Sequence, residues 1–272
     1  MVNEELPVSS FRDLSPLYQI FSEEDDEHGN PVFLYSSFGH ITDEYVAYFG
    51  QSSLRTRELT HETIRQSLQR LPDDDVYPKA PSNMTVFSAP INENLLLKRP
   101  NLHLHYLGTG QLPKLMLQEA EIMELLLRNP HPHIVRYHGC LIRRHLIVGL
   151  VLDRHPTTLQ CRLEESAHDF NVENCMRKMT SAVCHLHSLG LAHNKLKPMN
   201  IMVDKYDDPV IIDYGSCRPF GTNLITADTP GWNDDDFWIS AQEHDIFALE
   251  NIRTWLEKLT RPTQDAETGE RK

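Results

Sequence analysis

Two short stretches restrict this chain more than anything else in it: LAHNKLKPMNIMV at residues 191–203 and PVIIDYGS at residues 209–216. Residues 201–204 and 210–213 are brief apolar runs, and Lys205-Tyr206-Asp207-Asp208-Pro209 between them has the composition of a turn, so the pair predicts a β-hairpin. Such a hairpin brings Asn200 and Asp213 to one end of the same ribbon. Two side-chain oxygens converging on one place is what a hard divalent cation needs.

The frame His193, Asn194, Lys195, then Leu196, Lys197, Pro198, Met199 and Asn200, with Asp213-Tyr214-Gly215 beyond it, resembles the catalytic loop and metal-binding turn of protein kinases. In that family a His-Arg-Asp triplet is followed after four residues by Asn and later by Asp-Phe-Gly. The first Asp receives the substrate hydroxyl proton, while the Asn and the second Asp hold magnesium on the nucleotide phosphates. The resemblance implies His193, Lys195 and Lys197 as catalytic-loop positions, Asn200 and Asp213 as metal ligands, and ATP with Mg²⁺ as cofactors. It places Lys195 where the general base belongs.

Further segments follow the same frame. Residues 94–98, NLLLK, read as a buried strand ending in Lys98, which the resemblance sets on the nucleotide phosphates and opposite a helix glutamate. The helix expected from about Pro113 to Arg128 carries both Glu119 and Glu121. Alignment on Glu-Ile favours Glu121 as the pairing residue, with Glu119 the alternative. Residues 146–152, LIVGLVL, read as a buried strand leading into Asp153, Arg154, His155 and Pro156, where a kinase has the hinge that contacts adenine. Asn171 caps a predicted helix with Met176, Met179, Val183 and Leu186 inward and Gly190 as its stop. Residues 243–259 resemble the later kinase helix whose Asp, here Asp245, anchors the catalytic loop from below.

Composition narrows the surroundings of this chemistry. At 272 residues and 40% apolar content the chain can bury one sizeable core. No run of eighteen apolar residues occurs and the first thirty residues carry no signal-like apolar stretch, so a soluble protein without a membrane partner is expected. The 5 cysteines are odd in number and scattered, which points to reduced thiols in an intracellular compartment, cytoplasmic or nuclear. A formal charge of -13 repels phosphate backbones and argues against nucleic acid as a partner. The His-x-His pairs at His103/His105, His131/His133 and His185/His187 lack an acidic or thiol partner spaced to close a metal site.

The expected architecture is α+β: a protein kinase-like two-lobed fold with a reduced N-lobe and a truncated, mainly helical C-lobe. Residues 1–82 are expected as a helical extension, 83–156 as the N-lobe-like part, 157–262 as the C-lobe-like part and 263–272 as a disordered tail. Within the extension, Thr42 is expected to cap a short helix carrying Tyr45, Tyr48 and Phe49 and stopped by Gly50; Thr60 caps a second with Ile64, Leu68 and Leu71 on one face. The acidic run at residues 23–27 is expected as a solvated loop.

From Lys98 to about Leu259 the chain is similar to a divergent, shortened branch of the superfamily seen in fungi, through Lys98-Arg99-Pro100, the His-Asn loop and Thr229-Pro230-Gly231-Trp232. Four departures from the family bear on activity. No glycine occurs between Gly50 and Gly108, so the Gly-rich phosphate loop is absent or rebuilt. Asn194 removes the arginine that answers an activation-loop phosphate. The helices that commonly dock protein substrates are not expected after residue 262. Lys195 replaces the general base, and a free lysine ammonium needs roughly 4 to 5 kcal/mol to lose its proton at neutral pH. The expected function is therefore an ATP/Mg²⁺-binding, catalytically impaired pseudokinase acting as a nucleotide-responsive interaction module. The alternatives are an active Ser/Thr protein kinase and a partner-binding protein without nucleotide.

Overall fold

The computed structural model describes residue 8, residues 10–225, residue 232 and residues 238–261. The chain divides into two compact units. One comprises Met1–Ser88, Lys98–Gln118 and Cys140–Leu150; the other comprises Ala89–Leu97, Glu119–Gly139 and Val151–Lys272.

In the first unit, β1 (Leu17–Asp25), β2 (Pro31–Ile41) and β3 (Ala47–Ser52) form an antiparallel meander. After α1 (His61–Ser67), the two-residue β4 (Gln69–Arg70) completes a sheet ordered β1-β2-β3-β4. The helix expected around Tyr45, Tyr48 and Phe49 is therefore a turn and a strand. Thr42 Oγ1 accepts the N–H groups of Glu44 and Val46, each at 3.2 Å, and Tyr45 turns left-handed with φ 63°. The register then runs from Ile41↔Ala47 to Ser36↔Ser52. A threonine that caps a helix also closes a tight turn, and only the partner strand distinguishes the two.

Thr60 does cap α1, accepting the Thr63 N–H at 3.1 Å. Ile64 lies at 0% exposure in a core with Leu14, Phe38, Leu59 and Leu68. Gly50 lets α1 approach β3: a Cβ there would stand 2.7 Å from the Phe38 ring and 2.8 Å from the Ser67 carbonyl oxygen. The acidic Asp73-Asp74-Asp75 run opens the one-turn helix α2 (Asp73–Val76), where carboxylates suit the positive N-terminal end.

β5 (Leu95–Lys98), the long helix α3 (Gln111–Arg128), β6 (Tyr137–Arg143) and β7 (Leu146–Asp153) follow, with the three strands ordered β5-β7-β6. β7 is buried from Leu146 to Leu152, as its uninterrupted apolar run requires.

In the second unit, β8 (Thr157–Thr158) leads into α4 (Leu159–Glu165), and α5 (Val172–Ser188) is capped by Asn171, whose side chain accepts the Asn174 N–H. Met176, Met179, Val183 and Leu186 of α5 are all buried, and Gly190 ends the turn after it with φ 73°. β9 (Leu191–Ala192), β10 (Ile201–Val203), β11 (Pro209–Ile211) and β12 (Arg218–Pro219) are short. β10 and β11 form the hairpin read from the sequence, in the register Ile201↔Ile211. α6 (Gln242–Thr260) packs on α5 and buries Ala248, Ile252 and Leu256.

Candidate active site

The loop after β9 is hung on one carboxylate. Asp245, in the first turn of α6 and 0% exposed, accepts the backbone N–H of His193 at Oδ2 (2.8 Å) and that of Asn194 at Oδ1 (2.9 Å). His187 Nε2 lies 3.0 Å from Oδ2 as a further partner. A buried carboxylate is tolerable only when its lone pairs are met by donors, and here they are. This is the anchoring role that the α6 sequence implied. His193 Nε2 bonds the Ile212 carbonyl at 2.9 Å while its Nδ1 accepts the Lys195 N–H at 3.3 Å, so the proton sits on Nε2. Its ring packs edge-on against Tyr214, centroids 5.1 Å apart. His193 is thus a fully buried strut.

Lys195 and Lys197 are each half-buried in this loop. Asn200 Nδ2 donates to the Lys195 carbonyl at 2.9 Å, which orients the amide and leaves Oδ1 as its acceptor end. The Asn200 carbonyl in turn accepts the Ile212 N–H at 3.0 Å, so the hairpin puts Asn200 opposite the residue before Asp213. Asp213 adopts a left-handed conformation, φ 65° and ψ 70°, at the start of the turn Tyr214–Ser216. A strained backbone at a carboxylate is a device for aiming it.

These residues fit a magnesium ion. Mg²⁺ takes one or two protein oxygens and fills the rest of its octahedron with phosphate and water, so Asn200 Oδ1 and the Asp213 carboxylate are a sufficient donor set. Among the described residues no cluster of three or more His, Cys, Asp or Glu side chains could hold a metal by itself.

The two glutamates of α3 differ in burial. Glu119 is 8% exposed, and a Cβ built on Gly215 would lie 3.6 Å from Glu119 Oε2 and 3.6 Å from Asp213 Oδ1. Glu121 is exposed. Residues two apart on a helix point about 200° apart, so only one of the pair can face the Asp213 turn. Alignment on Glu-Ile favours Glu121 as the pairing residue; Glu119 is the one that lies beside the Asp213 turn. Beside them, burial lowers the pKa of the Arg218 guanidinium, and Cys217, Glu119 and Glu121 work in the opposite direction. Burial likewise pushes the Cys217 thiol and the Tyr214 phenol well up. Lys98 stands half-buried at the end of β5, but the strand is not the buried one expected: only Leu95 is buried and Leu96 is 40% exposed.

The segment read as an adenine hinge is already heavily bonded. Asp153 Oδ1 lies 2.6 Å from His138 Nε2, and its N–H donates to Arg136 O at 3.0 Å. Arg154 donates its N–H to Asn94 O at 2.8 Å and Nη2 to Leu95 O at 3.1 Å. Pro156 has no N–H. His155 completes the segment. Its imidazole pKa is lowered by burial, against the pull of Asp153 and Asp204.

Sequence reasoning did not single out Ser216, Ser240 or His244, which surround Asn194 in the folded chain. Ser216 and Ser240 are twenty or more residues from Asn194, and nothing local in the chain marks them. The residues 229–231 of the fungal-branch motif lie outside the described residues.

Residues 105–229 match the family model for the protein kinase domain. The chain is 29% identical over 140 residues to the serine/threonine-protein kinase/endoribonuclease ire-1 of Caenorhabditis elegans, covering 44% of this chain and 14% of that protein. It is 28% identical over 117 residues to CBL-interacting protein kinase 4 of Oryza sativa subsp. japonica, covering 40% and 24% respectively. It therefore spans a quarter or less of the length of either relative. Among solved structures it is similar to the Cydia pomonella granulovirus kinase PK-1, with a TM-score of 0.45 and 18% identity over 56% of this chain and 58% of that one. The family match contains the loop, the hairpin and the turn in one continuous stretch, so residues 105–229 of the chain are similar to the protein kinase domain.

Proposed function

We propose that this chain binds ATP with magnesium through a kinase-like domain spanning residues 83–262 and is catalytically impaired, serving as a nucleotide-responsive interaction module. The observation that carries the reading is the company of Lys195. Its carbonyl is bonded by Asn200 and its N–H by His193, so the ammonium is borne by a loop whose other parts are in order. Asn200 and Asp213 would hold the ion, and Lys98 would meet the phosphates. Bound Mg²⁺ would neutralise charge on the transferring phosphoryl group. The loop itself orients Asn200, holds Asp213 in place through His193 and Ile212, and offers at position 195 a cation in place of a proton acceptor. Loss of a general base removes on the order of a hundred- to ten-thousand-fold in rate.

The test is incorporation of labelled phosphate into a basic peptide by the wild type and by Lys195→Asp. The aspartate variant is expected to be faster by that order; equal rates defeat the impaired reading and leave an active Ser/Thr kinase. A second reading, a partner-binding protein without nucleotide, draws support from the spent N–H groups of Asp153 and Arg154. A thermal midpoint unmoved by millimolar ATP and Mg²⁺ would select it. Among the described residues no helix is long and apolar enough to cross a membrane.

A further inference from the structure

Asn194 replaces a charged residue of the family frame, and its own bonds are unusually complete. Its Nδ2 donates to the carbonyls of Ala192 (2.9 Å) and Ser216 (3.1 Å), which can only accept, so the amide orientation is fixed. Ser240 Oγ donates to Arg218 O at 3.0 Å and thus accepts the third Nδ2 contact, also at 3.0 Å. Two amide hydrogens serve three acceptors, one of them shared. On the other side, Oδ1 receives His244 Nδ1 at 3.0 Å, which places the His244 proton on Nδ1. The residues involved are nearly closed to water: Asn194 is 5% exposed, Ser216 6%, Ser240 1% and His244 4%.

The bonds tie together three stretches that are distant in sequence: the loop bearing Lys195, the Asp213 turn with the residues just after it, and the residues from Ser240 into the first turn of α6. A short ladder extends the tie: Gly221 N–H to Ser240 O (2.8 Å), Ser240 N–H to Thr222 O (2.7 Å) and Leu224 N–H to Trp238 O (2.9 Å). An arginine buried here would require an anion to answer it. The Asn194 amide instead meets two carbonyls, the Ser240 hydroxyl and the His244 ring, all from the chain itself.

We propose that Asn194, Ser240 and His244 form a hydrogen-bonded clamp that holds residues 216–224 and the backbone of Lys195 in their site-forming arrangement without any phosphorylation. They are positioning residues, acting through the loop and the turn. For its effect on ligand binding the inference rests on the nucleotide reading above; for the clamp itself it does not.

The experiment is amide hydrogen exchange on the full chain, with Mg²⁺·ATP thermal shift as the second readout. Asn194→Gly keeps the left-handed backbone (φ 61°) accessible and removes the amide. Ser240→Ala removes the shared hydroxyl, and His244→Asn keeps a donor near the place of Nδ1 while His244→Ala does not. Asn194→Gly, Ser240→Ala and His244→Ala are expected to speed exchange in peptides covering 216–222 and 238–240 about tenfold, with α5 unchanged and His244→Asn close to wild type. Phosphatase treatment of the wild type is expected to change nothing. The clamp is refuted by unchanged exchange in these variants, by an equal rise throughout α5, or by a phosphatase-dependent rise in 216–222. A wild type with no nucleotide shift but the expected exchange pattern removes the nucleotide reading and leaves the clamp standing.

Discussion

Asp245 receives the backbone N–H of His193 at 2.8 Å from a position fifty-two residues later in the chain, and with the other oxygen it receives the next N–H, that of Asn194. One buried carboxylate thereby sets the path of the loop carrying Lys195 and Asn200. Replacing it with Asp245→Asn turns one acceptor oxygen into a donor facing an N–H group. A loss of about 2 to 4 kcal/mol is expected, read as a lowered urea midpoint. A midpoint within error of the wild type would contradict this account of the loop.

Glu119 and Glu121 offer a paired test of helical phase. Glu119→Gln, at a buried position beside the Asp213 turn, is expected to diminish the thermal shift produced by Mg²⁺·ATP. Glu121→Gln, on the solvent side, is expected to leave it intact and to alter stability by no more than about 0.5 kcal/mol. The reverse result would restore the register that the Glu-Ile alignment favoured.

Gly50→Ala should show how tightly the first unit is packed. The added methyl would fall 2.7 Å from the Phe38 ring and 2.8 Å from backbone at Ser67, neither of which can swing aside as a flexible side chain would. The expected cost is about 1 to 3 kcal/mol by chemical denaturation. A neutral result would mean that α1 can lift from β3.

Three histidines predict the direction of the acid response. Burial is the first cause that lowers the pKa values of His103, His131 and His155, with His185 and His133 adding to it at His131. The folded values lie below the ordinary 6.5, so below that pH the unfolded chain takes up protons that the folded chain refuses. Their contribution is complete above about pH 6.5 and declines as the pH falls toward the folded values. His131 stacks on His185 with ring centroids 5.2 Å apart. Denaturation midpoints of wild type and His131→Asn from about pH 8 to pH 5 should diverge, with the shallower decline in the variant. Parallel curves would show that His131 is not part of the response.

The local chemistry around the site was readable from the chain because it is written in neighbouring residues. The hairpin between Asn200 and Asp213 needs only two apolar runs and a turn, and the caps at Thr60 and Asn171 need only the residue and the helix after it. Stretches whose form depends on a partner were not readable in this way. Residues 42–50 became a turn and a strand because β2 lies alongside to pair with Ala47–Ser52, and no local propensity expresses that.

The sequence alone determined the kinase-like frame and the lysine at position 195, since both are matters of residue identity and spacing. Tertiary structure alone decided which α3 glutamate faces the Asp213 turn, that the N–H groups of Asp153 and Arg154 are already bonded, and that Ser216, Ser240 and His244 close around Asn194. The reason is physical: a hydrogen bond requires about 3 Å and a direction, and those are set by packing between segments far apart along the backbone.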